Sequence, residues 1–350
     1  MSPEAARHRR ALRLAFATTL ALVWGTLAGE PLPGLTAVLA AQILVALPRP
    51  PRLGQAATLV AVIAGTGGAA FAVAAAFADR LLMLTAALGL MFFVGFAMRE
   101  RAAGRPSLPA TMLLNATAVV PVLTVQAEIL GFGVVETLVT SAIRAILVVW
   151  LLYAIFPAPQ EEAAAGAARA ASVPVTEHGS AARTLAKVAI VLPAQLFYLA
   201  QPTALAFPAL LGTVTFLSAQ DPAAGRSQLV VLLLGNLAGA VTAAAASVVL
   251  QVGPPLPALT LLGLLGSLEF AGWIMTAGRR PGGAVALTGL VTFLMLFGLA
   301  ASPHSFEVVV LDRVSDIGVL SLYTVAASTL LLPPSRPQPA GLRGGRFAHG

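Results

Sequence analysis

The sequence predicts an all-α integral membrane protein of about twelve transmembrane helices, built as two parallel six-helix repeats with both termini in the cytoplasm. Three observations predict it. The chain is 58% hydrophobic and 10% charged, with a mean hydropathy of +0.89. Its arginines fall on alternate sides of successive apolar runs. Its two halves echo one another in spacing and in local motifs.

A bilayer core takes about 20 apolar residues in helical form. Apolar runs between turn signals give spans at about 11–29, 35–48, 55–78, 81–98, 111–129 and 134–156 in the first half. The second half gives 184–201, 203–219, 227–250, 257–276, 284–302 and 306–333. Span one follows a basic start, as a signal peptide would. It lacks a small-x-small cleavage site, so a retained helix is expected. Span two is short and bounded by Pro31, Pro33 and Pro48, which suits a re-entrant or tilted segment. Spans three and nine are glycine-rich; Gly65, Gly68, Gly235 and Gly239 are expected to let helices pack closely. Asn115, Gln126, Gln195 and Gln201 are polar groups in apolar spans and are expected to hydrogen-bond between helices. The sixth and twelfth spans both end in proline, at Pro157 and Pro333.

The basic residues orient these spans. Arg7, Arg9 and Arg10 precede span one, Arg49 and Arg52 follow span two, and Arg99, Arg101 and Arg105 follow span four. Arg169 and Arg183 lie between the halves, Arg226 after span eight, Arg279 and Arg280 after span ten, and Arg336, Arg343 and Arg346 in the tail. The loops on the other side hold only Arg80. Positive charge stays on the cytoplasmic side of membrane proteins. The net charge of +7 is therefore read as an orientation signal, and no nucleic-acid partner is expected.

Other classes are excluded by what the chain lacks. It has no cysteine, so disulfides, thiolate metal sites and cysteine catalysis are ruled out. Its four histidines show no metal-ligand spacing, and neither H-E-x-x-H nor G-x-S-x-G occurs. No enzyme activity, cofactor or metal is expected.

Residues 158–182 are polar, alanine-rich and unpatterned, and read as a flexible cytoplasmic linker. They separate a first repeat, 1–157, from a second, 183–334, with a disordered tail at 335–350. LGLMFFVGFAMRER at 88–101 returns as LGSLEFAGWIMTAGRR at 265–280, aligning Gly89 with Gly266 and Phe93 with Phe270. Six helices per copy give both copies one orientation, related by an axis along the membrane normal.

The basic entry RRALRLAFATTLAL, the segment PLPGLTAVLAAQILVALPRPP, the Gly65–Thr66 pair of span three, and Arg313, Gly318 and Pro333 in span twelve carry a family resemblance. In these features the chain resembles the fusaric-acid-resistance clan, which includes aromatic acid exporters, and most of all a compact bacterial branch of it. The first half departs from the sixth-helix pattern, because Arg144 stands seven residues after the expected position. The linker is also too short for the cytoplasmic domain usual in that clan. The resemblance implies an inner-membrane exporter of small organic, including aromatic, acids. It also implies a substrate path between the halves and a periplasmic membrane-fusion adaptor as partner. Oligomeric state is left open.

A charged side chain deep in a bilayer costs about 2.5–3.5 kcal/mol, so such residues mark candidate sites. At 1.5 Å per residue, Arg144, Glu269 and Asp316 are expected at similar depth, with Glu136, Asp312 and Arg313 nearer the outside. Asp312 and Asp316 are four apart, so they share a helical face. Arg313 and Arg144 are the expected anion-binding groups, since a guanidinium grips a carboxylate with two hydrogen bonds. Gln42 joins them because its short span is expected to end inside the bundle. Glu269, Asp316, Asp312 and Glu136 are the expected proton carriers. The competing readings are a passive organic-anion channel and a non-transporting scaffold for an adaptor.

Overall fold

The computed structural model describes residues 3–30, 32–47, 49–102, 107–126, 128–157, 181–200, 207–218, 225–252, 255–277, 281–300 and 318–331 except 321 and 325. Within them every regular element is a helix. The first half supplies α1 (Pro3–Leu27), α2 (Pro33–Ala46), α3 (Leu53–Phe77), α4 (Leu81–Arg101), α5 (Leu108–Gln126) and α6 (Glu128–Ile155). The second supplies α7 (Ala181–Ala200), α8 (Phe207–Ser218), α9 (Gly225–Val252), α10 (Pro255–Ala277) and α11 (Pro281–Ala300). A shorter apolar helix, α12, runs over Gly318–Leu331. Each predicted span meets one of these helices, usually within a turn at each end. The linker at 158–180 and the start of span twelve lie outside the described residues.

Seven of the helices are long and apolar enough to cross a membrane. The protein is a multi-pass, helical membrane protein. Its surface agrees, because Leu82, Leu90, Phe132, Leu237 and Leu265 are each more than half exposed. Threonine hydroxyls within the helices turn back on the preceding turn: Thr18 donates to the Leu14 carbonyl, Thr66 to Val62 and Thr124 to Val120. That geometry satisfies a polar group where water is absent.

The helix pairs recur. Within the first half α3 packs on α5, α4 on α5, α3 on α4 and α1 on α2; within the second, α9 packs on α11, α10 on α11, α9 on α10 and α7 on α8. Contacts between the halves recur as well, with α1 against α10 and α7 against α4, then α2 against α11 and α8 against α5. Buried positions also step in parallel. Leu84, Leu88, Phe92 and Phe96 line the inner face of α4, as Leu259, Gly263, Ser267 and Ala271 do on α10. This register is two residues away from the one that aligns Gly89 with Gly266. It matches a contact with its sizes exchanged: Leu114 of α5 fills the space over Gly95, and Phe270 of α10 fills the space over Gly289.

The second and eighth helices are the short ones, with 14 and 12 residues. At 1.5 Å per residue α2 is about 21 Å long, less than the roughly 30 Å of a bilayer core. Backbone that leaves helical geometry at membrane depth must be enclosed by protein. The α1–α2 turn meets that condition on one side: Glu30, Leu32, Pro33 and Gly34 are all buried. Gly29 has φ +66°, a conformation that L side chains rarely adopt. Gly34 lies directly against the backbone of Leu294 and Met295 on α11, and Gly298 against Gly34 in return. No side chain fits between these two strands of backbone, so the halves meet there at the closest distance two helices can reach.

Candidate functional site

Helix α6 holds α2 at both ends. At the C-terminal end of α2 Tyr153 donates its hydroxyl to the Leu47 carbonyl at 2.9 Å, and Trp150 donates its indole N–H to the Pro51 carbonyl at 2.8 Å. Arg13 of α1 is buried beside them, with its guanidinium 4.2 Å from the Tyr153 ring centre. It also donates to the Phe156 carbonyl at 3.3 Å. The loop rich in proline between α2 and α3 has few backbone N–H groups of its own, so its carbonyls serve as the anchors.

At the other end the anchor is a carboxylate. Glu30, in the α1–α2 turn, accepts hydrogen bonds from Thr36 of α2 at 2.9 Å and from Ser141 of α6 at 3.3 Å. It also forms an ion pair with Arg144 of α6. The Glu30 side chain is 5% exposed and that of Arg144 is 25% exposed. Ser141 and Arg144 lie near the middle of the 28-residue α6, about 20 Å along from either end. The carboxylate at that position is buried with its counter-charge and two hydroxyl donors, as a buried ion pair must be. Gly25 makes room for it, since a Cβ there would stand 2.8 Å from the Glu30 Oε2 atom.

A cavity of about 90 Å³ lies on the adjoining faces of α2 and α6. Its wall is apolar from Leu32, Leu35, Val134 and Leu138, and the second half contributes Leu211 of α8 and Met295 of α11. Gln42, Thr66 and Asn115 supply its polar groups. Gln42 is exposed, on a helix whose other residues are mostly buried. The volume admits a few water molecules and is well below the roughly 300–1,000 Å³ of pockets that hold organic ligands.

The predicted site residues are placed as follows. Arg144 and Gln42 fall on neighbouring faces of α6 and α2, the first in the ion pair and the second in the cavity. Glu136 is exposed on α6. Glu269 stands exposed in an open groove over α9, α10 and α11, among Leu234, Leu237, Val241 and Trp273, and does not line the cavity that holds Gln42. Asp312, Arg313 and Asp316 lie outside the described residues. Gly235 and Gly239 sit where α9 crosses α11, with added Cβ atoms 2.7 Å and 2.8 Å from the Cβ atoms of Thr288 and Thr292. At Gly65 and Gly68 a Cβ would meet nothing within 4 Å; the close approach on α3 is at Gly67, against Val135 of α6. Gln195 is fully buried and donates to the Thr117 carbonyl across α7 and α5.

A second buried ion pair, absent from the sequence reading, joins the halves. Lys187 of α7 lies 3.1 Å from Glu100 at the end of α4, and Thr184 donates to the same carboxylate at 2.8 Å. Both charged side chains are under 8% exposed. Lys187 is the sole lysine in the chain. That singularity, three residues inside an apolar run, was the available signal. For Glu30 the signal was an acid directly before the proline pair that bounds the short span.

Residues 10–152 match a protein family described as a protein of unknown function (DUF2955). The matched stretch holds α1 to α6 nearly whole, with the Glu30–Arg144 pair and the first-half wall of the cavity. No curated protein and no solved structure matches the chain.

Proposed function

We propose that the protein is a secondary transporter of the bacterial inner membrane that exports small organic acids, aromatic ones among them, with proton coupling. In this reading it is a carrier and not an enzyme. Two six-helix repeats in one orientation, both termini cytoplasmic, enclose the substrate path. The recurrence of helix pairs within and between the halves supports the duplication, and the alternating arginines support the orientation. Arg144, Arg313 and Gln42 hold the anion. Glu269, Asp316, Asp312 and Glu136 are the carboxylates available to carry protons, and a periplasmic adaptor completes the route outward.

One observation carries the reading: a small cavity with three polar groups, walled mainly by the first half and completed by Leu211 and Met295 of the second, lies in a bundle that also holds a half-buried, ion-paired arginine near the middle of α6. A purely structural protein has no need of a polar-edged void at the seam of its two halves. A carrier needs one that widens as the halves move. The test is uptake into proteoliposomes containing the purified protein, using a panel of aryl carboxylates under an imposed pH gradient. Accumulation above protein-free vesicles is expected, with loss in Arg144→Met and Arg313→Met. If no acid on the panel moves, the transporter reading falls.

A further inference from the structure

Among the described residues Glu30 is the acid that the fold brings to Arg144, and its surroundings suit a carboxylate that changes its charge. Its other two partners, Thr36 and Ser141, are hydroxyls. A hydroxyl donates to a carboxylate and, after rotating, accepts from a protonated acid, so the same two residues can serve both forms of Glu30. Backbone N–H groups in their place could not accept from the O–H of the protonated form.

The cation is accessible where the acid is not. A quarter of the Arg144 side chain is exposed while the Glu30 side chain is enclosed. A guanidinium carries five donors in a planar fork, enough to turn from one carboxylate to another. Charge balance sets the rest. Two carboxylates on one half-buried arginine leave a net negative charge largely out of water, which is costly unless one of them takes a proton. The elements packed around Glu30 offer no other compensating charge among the described residues. Gly25 of α1, Thr36 of α2 and Ser141 of α6 are uncharged, and α11 meets the turn with Leu294, Met295 and Gly298. Glu136 is the next titratable group along α6 and is exposed.

We propose that Glu30 is the proton-coupling residue of the transporter, taking up one proton as an organic carboxylate replaces it on Arg144. This rests on the transporter reading and names the residue and the sense of coupling within it. In the empty state Glu30 is ionised and paired with Arg144. In the loaded state Glu30 is the neutral acid, its O–H donated to Thr36 or Ser141, and the substrate carboxylate holds the guanidinium. One proton and one monoanion are then bound together and released together. The net cargo is the neutral acid, and its movement carries no charge, so export runs down the acid's own gradient with the proton leaving alongside it.

The experiment has a binding arm and a transport arm, both on the full chain, with 4-aminohippurate as the probe because it is a poorly permeant aryl monocarboxylate. Calorimetry on the purified protein, in buffers of different ionisation enthalpy, is expected to register up to one proton taken up per anion bound. Affinity is expected to rise up to tenfold per unit fall in pH. In Glu30→Gln, proton uptake is expected to vanish and affinity to become independent of pH. In proteoliposomes, wild-type flux is expected to ignore an imposed membrane potential, while flux through Glu30→Gln follows it. Binding without proton uptake by the wild type, binding by Glu30→Gln that keeps its pH dependence, or no binding to either protein overturns the proposal. The wild-type proton count stands even if Glu30→Gln does not fold. If wild-type binding behaves as expected and no flux occurs, the transporter reading fails while the exchange at Arg144 holds. If flux occurs without the proton count, the exchange fails and the transporter reading holds.

Discussion

Two ion pairs among the described residues each use one carboxylate that also accepts from a threonine, and they differ in the cation. Glu30 and Arg144 join the α1–α2 turn to α6 within the first six helices, and the cation is a quarter exposed. Glu100 and Lys187 join α4 to α7, across the two halves, and the cation is 5% exposed with the Phe96 ring 5.7 Å away. An ammonium in a closed site has no route to another partner, whereas a guanidinium open on one side does. The exposure of the cation, more than the strength of the pair, separates a fixed fastening from an exchangeable one.

The largest effect expected from testing this contrast is at the fixed pair. Lys187→Met leaves Glu100 buried with one hydroxyl partner, and removing one member of a buried pair costs about 3–5 kcal/mol. Unfolding of the detergent-solubilised protein measures it, and Glu100→Met together with Lys187→Met is expected to recover most of the loss. A cost below about 1 kcal/mol for the single change would mean that water reaches this pair. At the exchangeable pair Glu30→Gln is expected to cost less, about 1–3 kcal/mol. The amide keeps the shape and an acceptor, and Arg144 can turn toward its open side. Equal losses at the two pairs would erase the distinction.

Smaller effects sharpen it further. Tyr153→Phe removes the hydroxyl that anchors Leu47 and leaves the Glu30 end untouched, at about 0.5–1.5 kcal/mol. Hydrogen exchange should then rise at the C-terminal end of α2 and stay unchanged at Thr36. Gly65→Ala is expected to be the mildest change. Its added methyl group meets no neighbour, and alanine is favoured over glycine in a helix by about 0.5–1 kcal/mol. A clear loss of stability there would show that the α3 face at Gly65 is covered in the intact protein.

Span positions were legible because each needs only a run of apolar residues, and the prolines around the short second helix announced its length. Pairing was not legible. Arg144 read as a lone cation awaiting a substrate because its partner lies 114 residues earlier. Glu30 drew no reading, because an acid before a pair of prolines marks a turn without saying that the turn is enclosed. Lys187 sits in a run that hydropathy alone makes a span, and its partner Glu100 sits among arginines that read as an orientation signal. Gly65 and Gly239 look alike in sequence; only the packing of α9 on α11, against the open face of α3, tells them apart.

The distance along the chain between Glu30 and Arg144 also has a consequence for how the protein is made. The α1–α2 hairpin leaves the ribosome with an acid that belongs in the interior, and its cation follows 114 residues later. At roughly 5–20 residues per second that is an interval of roughly 6–20 s. During it Glu30 must stay in water or in the lipid headgroups, because a lone carboxylate is costly inside the bilayer. The hairpin therefore takes its final depth only after α6 arrives, which makes α6, and not α1, the helix that commits the first half to its place in the membrane.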